Sequence, residues 1–250
     1  NPNLRQGGNS ASLIINEVTG GTRSDLSGAI EIFGPRAAFI LANPSGITCD
    51  GCGFFNVSRA TLATGRVTFG ADGSFQGFAV GGGDVEIKGQ GLFGGDVDYF
   101  DIVTGSAKIN ASLYARDLVI AGGASNFDYY SRTATARSGN VQNLAIDSSL
   151  LGGIFTNRIR LIGTGSGVGI NLRGSVAALE GNLEINAQGQ IAVRNAVAAQ
   201  DIDIRSSSDD IIVGERLYAG GALTLDAGKK VTHLSQFIGA NGNVSISAQS

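Results

Sequence analysis

Only two cysteines occur in the 250 residues, three positions apart, in Cys49-Asp50-Gly51-Cys52. Such a pair can act as a redox center, as half of a metal site, or as a structural link. Thioredoxin-like chemistry places the first cysteine at a helix N-terminus, which lowers its pKa. Here the flanks, "GIT" and "GFF", are glycine-rich and strand-like instead. A structural zinc ion takes four nitrogen or sulfur ligands, and the single histidine, His233, is far away in the chain. The residues leave two structural readings open: a small disulfide, or two packed thiols in a turn.

Other chemical patterns are weaker. "GQGLFG", Gly89 to Gly94, matches the dinucleotide-binding spacing, but a helix must follow to hold the pyrophosphate. The residues that follow, "GDVDYFDIVTG", alternate like a strand, so a turn between coils is expected. Asp96, Asp98 and Asp101 are spaced D-x-D-x-x-D, yet Phe100 stands where a calcium loop needs an oxygen ligand. Clustered acids with calcium also occur in β-helical polysaccharide lyases, so these three aspartates define the enzymatic alternative. No serine lies in G-x-S-x-G, and His233 falls inside a regular repeat, so Ser/His/Asp catalysis has no support. The N-x-S patterns at Asn56, Asn110 and Asn243 are of the kind short polar turns generate freely. No metal and no cofactor is expected.

The two Asn-Pro segments, "NPNL" and "NPSG", stand apart. In Asn43-Pro44-Ser45-Gly46 each residue suits its place in a type I turn: Asn at the first position, Pro with φ preset at the second, Gly at the fourth. A turn this stiff can present side chains to a partner at low entropic cost.

The elements that carry these residues are strands. "AIEIFG", "DVEIKG", "SLYARDLVIAGG", "NLEINAQGQIAV", "QDIDIRS", "ALTLDAG" and "NVSISAQ" alternate with period two and are separated by Gly, Asn, Asp or Ser. Equivalent apolar pairs return as Leu183/Ile185, Ile202/Ile204, Leu223/Leu225 and Val244/Ile246, at spacings of 19, 21 and 21 residues. Ile159/Leu161 precede them by a longer step of 24. A second set, "VAALEG", "AVAAQD", "LYAGGA" and "FIGANG", sits ahead of each of the four pairs from Leu183/Ile185 onward. One coil of short strands cannot bury its inward side chains alone, whereas stacked coils can. The expected fold is all-β: a right-handed parallel β-helix with coils of about 20 residues. "GLFGGDVDYFDIVTG" and "GASNFDYYSRTATARSGN" break the period and are expected as longer loops or a hairpin on one face. The termini do not look like caps for the open ends of a solenoid, so further coils are expected beyond Ser250.

Composition agrees with this architecture. The chain has 39 glycines, about twice the usual share of roughly 7%, but only 3 prolines and no tryptophan or methionine. That suits a backbone that turns often, and 42% hydrophobic residues supply a core. A net charge of −3 with scattered basic residues argues against nucleic acid. The longest apolar stretch is far shorter than the roughly 20 residues that span a bilayer.

The ordered segments "NPNL", "LIINEVTG" and "SDLSGAIEIFGPRAAFILANPSGITCDGCGFFNVSRATLATG" resemble the two-partner secretion (TPS) domain that begins large Gram-negative exoproteins: filamentous haemagglutinins, hemolysins and contact-dependent growth inhibition toxins. The match is dense from Asn1 to about Gly65. It implies a right-handed β-helix and a single domain over 1–250, with a motif-rich part at 1–65, coils with longer excursions at 66–157 and regular repeats at 158–250. It implies a non-enzymatic secretion module, recognised in the periplasm through POTRA domains by a TpsB-type outer-membrane β-barrel transporter and folding outside the cell. The full protein is then secreted or held at the cell surface, and it could meet a host or neighbouring cell. The transporter-recognition residues carried over are Asn1, Pro2, Asn3 and Leu4, and Asn43, Pro44, Ser45, Gly46 and Ile47. Cys-x-x-Cys resembles the hemolysin and growth-inhibition branch, with Cys49 and Cys52 expected as a disulfide staple on the turn after Asn43. Two departures stand out. Ser45 replaces the second Asn of the family's Asn-Pro-Asn-Gly-Ile, and the sequence begins on the first motif, so the family's N-terminal cap is expected to be missing, processed or outside this sequence. A β-helical polysaccharide-active enzyme, or a glycan-binding adhesin, is the alternative reading.

Overall fold

A computed structural model describes residues 10–139, 142–234 and 236–249. The described residues form strands and connecting turns, with no helix. Most strands stack in parallel, each coil on the one before, and the sequence repeat is the register. Leu183 lies opposite Ile202, Ile202 opposite Leu223, and Leu223 opposite Val244. Ile159 and Leu161 sit below Leu183 and Ile185, as their spacing predicts. The second set aligns too: Val176, Ala196, Leu217 and Ile238 follow one another from coil to coil. Alternation puts these side chains inside, where Leu183, Ile185, Ile204, Leu217 and Leu225 are fully buried. The architecture is a parallel β-solenoid.

One of the two expected excursions is not one. "GLFGGDVDYFDIVTG" belongs to a long bent strand, Asp84–Thr104, that runs round the coil and pairs with Ile47–Phe55, Val57–Ala63, Ser106–Ile109 and Leu113–Gly122. The period breaks because a corner is enlarged. Gly94 pairs with Ala115 and Tyr99 with Asp117, so Gly95 to Asp98 stand opposite Arg116 alone. The other segment does leave the solenoid. Ser125–Asp128 and Thr133–Ala136 form an antiparallel hairpin that joins a second one, Arg66–Phe69 with Phe75–Val80.

This four-stranded sheet covers one face of the solenoid. Phe75, Phe78, Val80, Phe127 and Tyr129 pack on Ile40, Ala42, Ala63, Val103, Val119 and Ala121, making a second core outside the first. The sequence carried a signal for it. "AAFILA" and "LVIAGG" are apolar at successive positions, as strands buried on both faces must be. Where the cover ends, the same outward column turns polar, from Ile162 to Asn186, Arg205 and Asp226.

Candidate functional site

The strand Ala37–Ala42 gives way at Asn43 to a turn that leads into the strand Ile47–Phe55. The Gly46 N–H donates to the Asn43 carbonyl at 3.0 Å, closing the turn. The Asn43 side chain does the rest. Its Oδ1 accepts the Ser45 N–H at 2.9 Å, the local bond that makes asparagine a turn former. Its Nδ2 donates to the Thr22 carbonyl at 2.9 Å and to Ser24 Oγ at 2.8 Å, one coil below. Its own N–H donates to the Ala63 carbonyl at 2.8 Å, one coil above. Asn43 is therefore fully buried and fastens three successive passes of the chain.

Gly46 and Ile47 are buried as well. Gly46 has φ +107°, and a Cβ there would lie 2.5 Å from Arg23 Nη1, so both conformation and space require glycine. Arg23 braces the turn from behind. Its Nε donates to Thr48 Oγ1 at 2.6 Å, Nη2 to the Ile47 carbonyl at 2.8 Å, and both terminal nitrogens bond Asp84 at 3.0 Å. Of the motif, Pro44 and Ser45 alone face solvent. The Asn1, Pro2, Asn3 and Leu4 motif lies outside the described residues.

Asp84 also meets Lys108 Nζ at 3.4 Å. Burial works to raise the Asp84 pKa, but the hydrogen bonds and charge of Arg23, with Lys108, outweigh it and hold the carboxyl below its usual range. A carboxyl depressed in the folded state contributes stability above its unfolded pKa of about 3.9, and loses it as pH falls through the folded value. Wild type is thus expected to exceed Asp84→Asn in urea-unfolding stability at pH 7, with a smaller gap at pH 3. A gap that did not change with pH would refute this role for the carboxylate.

Cys49 and Cys52 both lie within the strand Ile47–Phe55 and form a disulfide, with Cα atoms 5.3 Å apart. The pair staples the bend of the chain that follows the Asn43–Gly46 turn. It spans a coil corner at Asp50-Gly51, where Gly51 has φ +75° and Asp50 Oδ1 accepts the Gln90 N–H at 3.0 Å. Both sulfurs face the main core, closed off from solvent, and no helix end stands nearby to activate a thiol.

The three aspartates do not converge. Asp101 is fully buried between Arg59 Nη2 at 2.6 Å and Arg132 Nε at 2.8 Å. Asp98 sits in the enlarged corner with Arg36 at 2.6 Å and Arg116 at 3.6 Å, and the Asp96 carbonyl accepts from Arg36. Among the described residues no group of three or more His, Cys, Asp or Glu is placed to hold a metal ion. Gly89 to Gly94 lie within the strand Asp84–Thr104, with no helix after them. His233 is exposed at the end of Val231–His233. Sequence reasoning missed the bracing pair Arg23 and Asp84 and the arginines of Asp101, because their partners are 61, 42 and 31 positions away.

The described residues form a parallel β-solenoid with a buttressed, half-exposed turn on its early coils. The comparisons agree. The model of the TPS secretion domain family matches residues 4–193. The chain is 40% identical, over 98% of its length, to the tRNA nuclease CdiA of Escherichia coli, and 37% identical over its whole length to the 16S rRNA endonuclease CdiA of Enterobacter cloacae. It spans only 8% and 7% of those proteins. The crystal structure of the filamentous hemagglutinin secretion domain superposes with a TM-score of 0.64 at 24% identity, covering 95% of this chain and 75% of that one. This chain belongs to the TPS secretion domain family. No described helix is long and apolar enough to cross a membrane.

Proposed function

We propose that this domain delivers a large exoprotein to a TpsB-type outer-membrane transporter, whose POTRA domains meet it in the periplasm, and that it then starts β-helix folding outside the cell. The observation that carries this reading is the Asn43–Gly46 turn. Three coils hold it rigid through buried bonds, and it offers Pro44 and Ser45 to solvent. Binding to a rigid surface loses little conformational entropy. The parent is a contact-dependent growth inhibition toxin, a reading supported by the identity to the CdiA proteins.

Folding outside supplies a direction for transport. Val244 and Ile246 are half-exposed on the last described coil, whereas their counterparts one coil earlier, Leu223 and Leu225, are fully covered. Each further coil stacked there would bury such a pair, worth about 1.5–3 kcal/mol per side chain fully covered, which opposes back-sliding.

The test uses the exposed positions, because replacing Asn43 or Gly46 also disturbs the fold. Pro44→Ala with Ser45→Ala keeps every buried bond of Asn43. Export of the full exoprotein through its transporter is expected to fall several-fold, with thermal unfolding of the domain almost unchanged. Wild-type export from this variant would end the turn's role in recognition.

A further inference from the structure

A groove of about 420 Å³ opens beside the exposed part of the turn. Its wall on the solenoid side is Pro44 and Thr64, its floor is Gly81 to Gly83, and Arg66 and Arg137 rise from the antiparallel sheet. Four separate segments build it. Arg66 pairs across the sheet with Ala79, just before the glycines, and the Arg137 N–H donates to the Ala124 carbonyl where the other hairpin leaves the solenoid. Thr64 Oγ1 donates to the Gly82 carbonyl at 2.7 Å, and a Cβ on Gly83 would lie 2.8 Å from the Pro44 carbonyl, so floor and wall are locked together.

The charge of the groove is one-sided. No carboxylate lines it. Among the described residues neither Arg66 nor Arg137 has a carboxylate oxygen within 4.0 Å, as is true also of Arg160, Arg173 and Arg216, whereas Arg23, Arg36, Arg59, Arg132, Arg194 and Arg205 all do. Both arginines are exposed. The Glu17 carboxylate accepts the Val67 N–H at 3.3 Å next to Arg66 without an ion pair to it, so in a chain of net charge −3 the two guanidinium groups flanking one open channel form a local positive site. Arginine is always charged, and complementary charge at an interface governs encounter rate and choice of partner.

We propose that this groove receives an extended segment of the transporter's periplasmic part that carries aspartate or glutamate side chains, with Arg66 and Arg137 gripping the carboxylates while Pro44 and Ser45 border the same contact. The proposal rests on the reading of the turn as the recognition element. Gly81 adds a steric handle. It lines the groove, a Cβ there would meet nothing within 4 Å, and its φ is outside the left-handed region, so a side chain can be added there to test whether the groove must stay open.

The experiment measures export of the full exoprotein by its own transporter, with thermal unfolding of each purified variant as the control. Arg66→Gln with Arg137→Gln, and separately Gly81→Leu, are each expected to lower export about tenfold without a large change in unfolding temperature. Arg66→Lys with Arg137→Lys is expected to retain most of it, because the charge remains. If the glutamine pair and Gly81→Leu export like wild type while Pro44→Ala/Ser45→Ala fails, the groove is refuted and the turn reading stands. If all three export like wild type, both fall. An equal loss in the lysine and glutamine pairs would refute attraction of an acidic segment by charge.

Discussion

Replacing Asp101 with alanine is expected to destabilise the domain by about 3–5 kcal/mol, the usual cost of removing one member of a buried ion pair. Asp101 has no exposed surface and is held between two arginines whose side chains are 12% exposed. Arg59 also lies over the Tyr129 ring, 3.5 Å from its center, and Arg132 bonds Asp117 and the carbonyls of Phe100 and Asp117. Arg132 and Tyr129 belong to the hairpin segment and Asp101 to the solenoid, so this network ties the antiparallel sheet to the coils. Without the carboxylate, two cations would face each other across a half-dry seam. Asp98→Asn is the contrast, since that pair is exposed and an exposed pair is worth about 0–1 kcal/mol. Urea unfolding of both variants checks the difference. A loss below about 1 kcal/mol for Asp101→Ala would show that Asp101 is not the structural anchor that its burial indicates.

Asn43→Ala is expected to cost about 3 kcal/mol in the same measurement. It removes three part-buried side-chain hydrogen bonds, each worth about 1 kcal/mol net, and leaves the Thr22 carbonyl and the Ser45 N–H without their protein partner. The effect on export should exceed that of the exposed pair Pro44→Ala/Ser45→Ala, because the buried change loosens both the turn and the coils it joins. If Asn43→Ala melts like wild type yet blocks export, the asparagine is read directly by the transporter and its burial is not what matters. The two variants together separate a residue that shapes the signal from residues that present it.

The main core was legible residue by residue. Leu183/Ile185 and their successors could be placed in register because a side-chain period of two and a coil period near 20 allow only one stacking that buries them all. The Asn-Pro-Ser-Gly turn was equally plain, since each residue has a local conformational reason for its place. The enlarged corner at Gly95 to Asp98 was misread as an excursion because a few extra residues in a turn and a departure from the coil interrupt a repeat alike. The hairpin Arg66–Phe69 with Phe75–Val80 was missed because its glycines, Gly70, Gly73 and Gly77, read as turns between coils.

The sequence by itself determined what is local or periodic: strands, coil length, inward side chains, the turn and the family. Tertiary structure decided which polar groups are available. It buried Asn43, withdrew Asp101 into an ion network, faced the Cys49–Cys52 disulfide into the core, and left Pro44, Arg66 and Arg137 around one open groove. The physical reason is that stacking brings together residues a coil or several coils apart in sequence. Burial and charge pairing depend on those neighbours, and no local pattern records them.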